Sequence, residues 1–157
     1  AHGIAGAAGW FALDPDWREE YARNGCWETE SAGPGIARRF GGPDAASVVG
    51  AARKGDARAL DVLARAARYT GMGVANLVSV LNPEMIVLGG GIMQGAGDLL
   101  IDGIRTEARR WAQPIAALGC RIELTQLGED AGLFGAARLA LTLNPGSLNR
   151  GTLNLEP

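Results

Sequence analysis

Gly89-Gly90-Gly91 is the segment of this chain best suited to holding a ligand, because it follows the apolar run Met85-Ile86-Val87-Leu88 directly. Glycines at the end of a strand carry no Cβ, so a flat molecule can approach the main chain and meet its N–H groups. A nucleotide is the natural candidate. The pattern is not the dinucleotide fingerprint, since Ile92, Met93 and Gln94 follow where a further spaced glycine should stand. Taken alone, it fits a tight strand-to-helix turn equally well.

Other residues of interest lie far from this run. Leu127-Gly128-Glu129-Asp130 leads into Ala131, Gly132, Gly135 and Ala136, a small-residue surface that by itself reads as a close-packed core helix. Cys26 and Cys120 form no C-x-x-C pair, and two thiols without a secretory signal read as free and reduced. His2, near a chain end, reads as solvent-exposed.

The elements that position these residues follow from periodicity and breakers. Residues 1–9, with Gly3, Gly6 and Gly9, favour a loop. Trp10-Phe11-Ala12-Leu13 before Asp14-Pro15-Asp16 predicts a brief strand ending in a turn. The text from Cys26 is loop-like until Pro34, after which Ile36, Ala37 and Phe40 give a short helical face. Asp44 starts a helix to about Arg53 with Val48, Val49 and Ala52 inward; Gly55 ends it and Asp56 caps the next. That next helix is the longest, because Leu60, Leu63, Ala67, Gly71, Val74, Val78 and Leu81 recur at spacings of three and four. Its second half is nearly free of charge and should be enclosed, with Gly71 and Gly73 admitting a close neighbour.

Met85–Leu88 then reads as a central strand buried on both faces. A helix follows from about Asp98 to Trp111, a half-exposed strand from Ile122 to Gln126, and a last helix from Ala131 to Leu141 with Asp130 as its N-cap. Residues 142–157 show no period and are expected to be a tail.

Composition bounds the whole. The 157 residues, 47% hydrophobic and 20% charged, suit one folded domain rather than a disordered chain. A formal charge of −2 gives no field for nucleic acid, and no apolar run approaches the roughly 20 residues of a membrane span. Neither direct nucleic-acid binding nor membrane insertion is expected, and the cytoplasm is the expected compartment. The chain opens at Ala1, which suggests that a segment precedes it.

The ordered combination of a long helix, Leu81-Asn82-Pro83-Glu84-Met85-Ile86-Val87-Leu88-Gly89-Gly90-Gly91-Ile92 and then Leu127-Gly128-Glu129-Asp130-Ala131-Gly132-Leu133-Phe134-Gly135-Ala136-Ala137 resembles the ROK family of sugar kinases and sugar-responsive repressors. The resemblance implies an α/β fold: the C-terminal lobe of the actin-like ATPase (ribonuclease H-like) fold, a mixed sheet flanked by helices, over residues 1–141. It gives Gly89, Gly90 and Gly91 a nucleotide-binding role against adenosine.

Nearer the N-terminus the resemblance is partial. The family motif A-G-E-I-G-H reads Ala5-Gly6-Ala7-Ala8-Gly9-Trp10 here, so two sugar-contacting groups are replaced. The cysteine motif that holds zinc in the family survives only in Asn24-Gly25-Cys26-Trp27-Glu28, and one remaining thiol predicts no zinc. Glu28 keeps a sugar-binding position, though its residue type fits equally a solvated acid beside Glu30 in a polar loop. Trp10 could instead stack on a sugar face.

The family's catalytic aspartate and phosphate loops have no counterpart in these residues, so no catalytic residue is expected here and the chain alone should be inactive. The complete protein would use ATP with Mg²⁺ and a sugar, pair this lobe with a missing N-terminal lobe, and form a homodimer. Two parents fit: a sugar kinase, or a non-catalytic sugar-sensing effector domain of a transcriptional repressor. A self-sufficient nucleotide-binding module of another kind is the third.

Overall fold

The computed structural model describes residues 6–143, and the predicted tail and His2 lie outside them apart from Thr142 and Leu143. The chain runs through a 3-10 turn at Ala8–Trp10 and four short helices, α1 (Tyr21–Asn24), α2 (Cys26–Ser31), α3 (Gly33–Phe40) and α4 (Ala45–Arg53). The 25-residue α5 (Ala57–Leu81) leads to β1 (Met85–Leu88), α6 (Gly91–Trp111), α7 (Pro114–Gly119), β2 (Arg121–Leu124) and, after a 3-10 turn at Gly128–Asp130, α8 (Ala131–Leu143). Strands β1 and β2 pair in parallel, Met85 opposite Arg121 and Leu88 opposite Leu124, with α6 and α7 as the crossover.

Helix starts follow local chemistry. Asp44 and Asp56 cap α4 and α5, their carboxylates accepting from the N–H groups of Ser47 and Ala59 at 2.8 Å. Asn82 ends α5 in the left-handed region (φ 45°), ahead of Pro83. The main core forms where α5 crosses α6, with Val74, Val78, Leu100 and Ile104 buried. Gly71 permits that approach, because a Cβ there would sit 2.6 Å from the Glu107 Cβ and 2.8 Å from the Ile104 carbonyl oxygen.

Several expectations give way. Residues 10–13 form no strand, since Trp10 closes a 3-10 turn. The polar loop around Glu28 and Glu30 is helix α2. Helix α6 begins at Gly91, seven residues before the expected start, and α1 and α7 were not foreseen. Asp130 lies in the turn that runs into α8. Strand β1 is not buried on both faces: Ile86 and Leu88 pack on the core, while Val87 is 57% exposed. Among the described residues only one face of the pair is covered. The closing turn of α5 is likewise open, with Val80 and Leu81 exposed, and α8 is no close-packed core helix, with Leu133 and Phe134 exposed and open space above Gly132 and Gly135.

Candidate functional site

Strand β1 delivers the chain to Gly89 and Gly90, and α6 begins at Gly91. Gly90 adopts φ 92° and ψ 170°, a conformation that a side chain would strain, and its carbonyl accepts the Gln94 N–H at 3.1 Å. The three glycines divide their tasks. Gly90 and Gly91 line a cleft of about 560 Å³, and a Cβ on either would meet nothing within 4 Å. Gly89 faces the residue that follows β2 instead, where its Cβ would touch Thr125 Cγ2 at 3.4 Å.

The other walls of the cleft come from elements whose role the sequence did not reveal. Ile92 and Gly95 continue the α6 wall, Ala45, Ala46 and Val49 of α4 oppose it, and Ala32 and Gly33 close one end where α2 meets α3. Every lining side chain is aliphatic or absent. Polar contacts to a ligand would therefore come from main-chain groups, including the first N–H groups of α6, which have no acceptor within the helix. Alanine and glycine carry no chemical signal in a sequence, and only Gly95, one helical turn after Gly91, hints at the wall.

Glu28 and Trp10 are brought together. Trp10, 55% exposed, ends the 3-10 turn that packs on α2, and Gly9 beside it would place a Cβ 3.0 Å from Glu28 Oε2. Gly25 makes this packing possible: at φ 78° it lies so close to the Gly9 carbonyl and Trp10 Cα that a side chain would collide. Glu28 is exposed and, among the described residues, makes no side-chain hydrogen bond. Its carbonyl accepts the N–H of cleft-lining Ala32 at 2.9 Å. The two candidate ligand regions are thus one turn apart on α2.

Beneath them lies a polar cluster. Glu30, whose side chain has no exposure, receives Arg39 Nη2 and Arg65 Nε at 2.9 Å each, the Tyr21 hydroxyl at 3.0 Å, and Arg18. Tyr69 donates to Asp14 Oδ2 at 2.6 Å and accepts from Arg65 Nη2 at 2.9 Å. The Tyr69 hydrogen bond, with the Asp16 N–H and the guanidiniums of Arg18 and Arg65, holds the Asp14 carboxyl below its usual range. Burial, and then the bond to Asp14, push the Tyr69 phenol up to about 12.

Cys26 is buried with Leu13, Tyr21 and Tyr69 in a small apolar cluster, and Cys120 is a half-buried free thiol raised by burial. Among the described residues no group of three His, Cys, Asp or Glu side chains is placed to hold a metal ion, and no helix is long and apolar enough to cross a membrane.

A parallel β-α-β unit set against a long helix makes this an α/β protein, and its solved neighbours carry the actin-like ATPase fold. A ROK hexokinase from Thermus thermophilus superposes with a TM-score of 0.69 at 29% identity, over 90% of this chain and 50% of that one. A ROK glucokinase from Streptomyces griseus, solved with glucose and AMPPNP, gives 0.64 at 30% identity over 76% and 46%. In sequence, a glucokinase of Halalkalibacterium halodurans is 34% identical over 159 residues, 88% of this chain and 48% of the relative. The ROK family profile matches residues 1–143, and the chain belongs to the ROK family. It spans about half the length of these relatives.

Proposed function

We propose that this chain is the C-terminal lobe of a ROK sugar kinase, supplying the adenosine wall and one side of the sugar cleft for phosphoryl transfer from ATP to a hexose or amino-sugar hydroxyl. The observation that carries the reading is the smooth cleft at Gly90 and Gly91, whose open glycine floor, opposed by Ala45, Ala46 and Val49, suits a flat base. Gly89 acts one step back, seating the turn against Thr125. Glu28 would accept hydrogen bonds from sugar hydroxyls, with Trp10 offering an apolar ring to the sugar face.

Phosphoryl transfer needs a carboxylate near the sugar hydroxyl and groups around the phosphates. Neither is assigned to this chain, so catalysis falls to an N-terminal lobe. Mg²⁺ would travel with the nucleotide phosphates, because the described residues offer it no cage of their own. The apolar packing of Cys26 supports a zinc-free corner. The remaining expectations are a cytoplasmic homodimer. A second reading, a sugar-sensing effector domain without catalysis, is favoured by Trp10 standing at a position where the family motif has histidine.

Thermal denaturation of the chain with AMPPNP, with glucose and N-acetylmannosamine, and with ATP plus sugar tests the proposal. A nucleotide-dependent rise in Tm without turnover is the expected outcome. Turnover by the chain alone would defeat the lobe assignment, and a sugar response with none to nucleotide would favour the effector domain.

A further inference from the structure

The two long walls of the cleft share apolar core packing, and among the described residues one side chain hydrogen-bonds across them. Arg53, the last residue of α4, donates from Nη2 to Asp98 Oδ1 at 2.8 Å and to the Gly95 carbonyl at 3.1 Å, both on α6. Gly95 lines the cleft, and Val49, one helical turn before Arg53, lines it from the opposite side. Among the described residues these are the only hydrogen bonds between α4 and α6. The pair is mutual: Arg53 holds the Asp98 carboxyl below its usual range, and neither residue has another ion-pair partner among the described residues.

The spacing of these walls matters because of what they lack. Alanine, glycine and valine have no reach, so none can follow a retreating ligand surface. Dispersion falls steeply with distance, and a gap of 0.5–1 Å forfeits roughly a quarter to a half of each contact. A base between such walls is therefore held in proportion to how well their separation is fixed. A side chain that bridges them beside the slot controls that separation without touching the ligand.

We infer that Arg53 is a positioning residue for the nucleotide, setting the width of the slot between α4 and α6 through Asp98 and the Gly95 carbonyl. This rests on the cleft being a nucleotide site. Arg53→Met keeps the aliphatic stem and removes both bonds, while Arg53→Lys keeps the charge opposite Asp98. The dissociation constant for ADP is measured by calorimetric titration on the full chain, beside Tm.

The expected result is a rise of roughly three- to tenfold in the ADP constant for Arg53→Met, in line with the contact loss above. Tm should stay within about 2 °C of wild type, because an exposed ion pair adds little stability. Arg53→Lys should recover at least half of the lost affinity on a logarithmic scale. Wild-type affinity in Arg53→Met, a loss that tracks a fall in Tm, or no recovery in Arg53→Lys would each overturn the inference. Absence of ADP binding by wild type would remove the nucleotide reading itself, and the inference with it.

Discussion

Glu30 gathers groups from four separate parts of the chain: Arg18 before α1, Tyr21 in α1, Arg39 in α3 and Arg65 in α5. A carboxylate without solvent exposure persists only when charge and hydrogen bonds replace its water, and here both do. Its guanidinium partners are about a third exposed, so they keep part of their own hydration. Glu30→Gln removes the charge but not the shape, and should lower unfolding free energy by about 3 kcal/mol, read from urea denaturation. Sequence order gave no sign of this role. Glu30 is one acid among Glu19, Glu20 and Glu28, and its arginines stand 12, 9 and 35 residues away.

At the scale of elements, α5 organises the fold by offering glycines where neighbours come closest. Gly71 admits α6, and Gly73 admits the Trp27 indole of α2, which also stacks on Phe11 with ring centres 5.8 Å apart. A methyl group on Gly73 would overlap that indole. Gly73→Ala should therefore cost about 1–3 kcal/mol, seen as a lower Tm, and adding Trp27→Leu should return part of it by making room. The periodicity of α5 made the helix and its two close-approach glycines legible in advance. The partner of Gly73 was not, because no local pattern records which side chain arrives from α2. The start of α6 was missed for a related reason. Gly91, Gly95 and Gly97 argue against a helix locally, yet Gly97 is needed where its Cβ would lie 2.7 Å from Leu124 Cδ1 of β2.

For the whole molecule, the Asp14–Tyr69 pair contributes to the pH dependence of stability on both the acid and the alkaline side. Asp14 is more acidic folded than unfolded, so its contribution is present above the ordinary carboxylate value of about 3.9 and is lost as pH falls through its lower folded value. Tyr69 is shifted the other way: its contribution is complete below pH of about 10 and disappears as pH rises towards about 12. Urea midpoints should then be level from about pH 5 to pH 9 and fall on both sides. Tyr69→Phe should remove the Tyr69 part of the alkaline fall and shrink the acid limb, since Asp14 loses its strongest partner and its folded value moves back toward the unfolded one.

What the sequence determined by itself is the part written in local order. The capped α4 and α5, the strand before the glycines, and the three ordered motifs of the ROK family depend on spacing along the chain, and spacing is what a sequence preserves. Tertiary structure alone decided the rest: that Gly90 and Gly91 open onto a cleft while Gly89 turns to Thr125, that Ala32, Ala45 and Val49 build the opposing walls, and that Glu30 is the buried acid. These depend on distances between residues far apart in the chain. Small aliphatic side chains make a wall by what they leave empty, and emptiness has meaning only once the surrounding elements are packed.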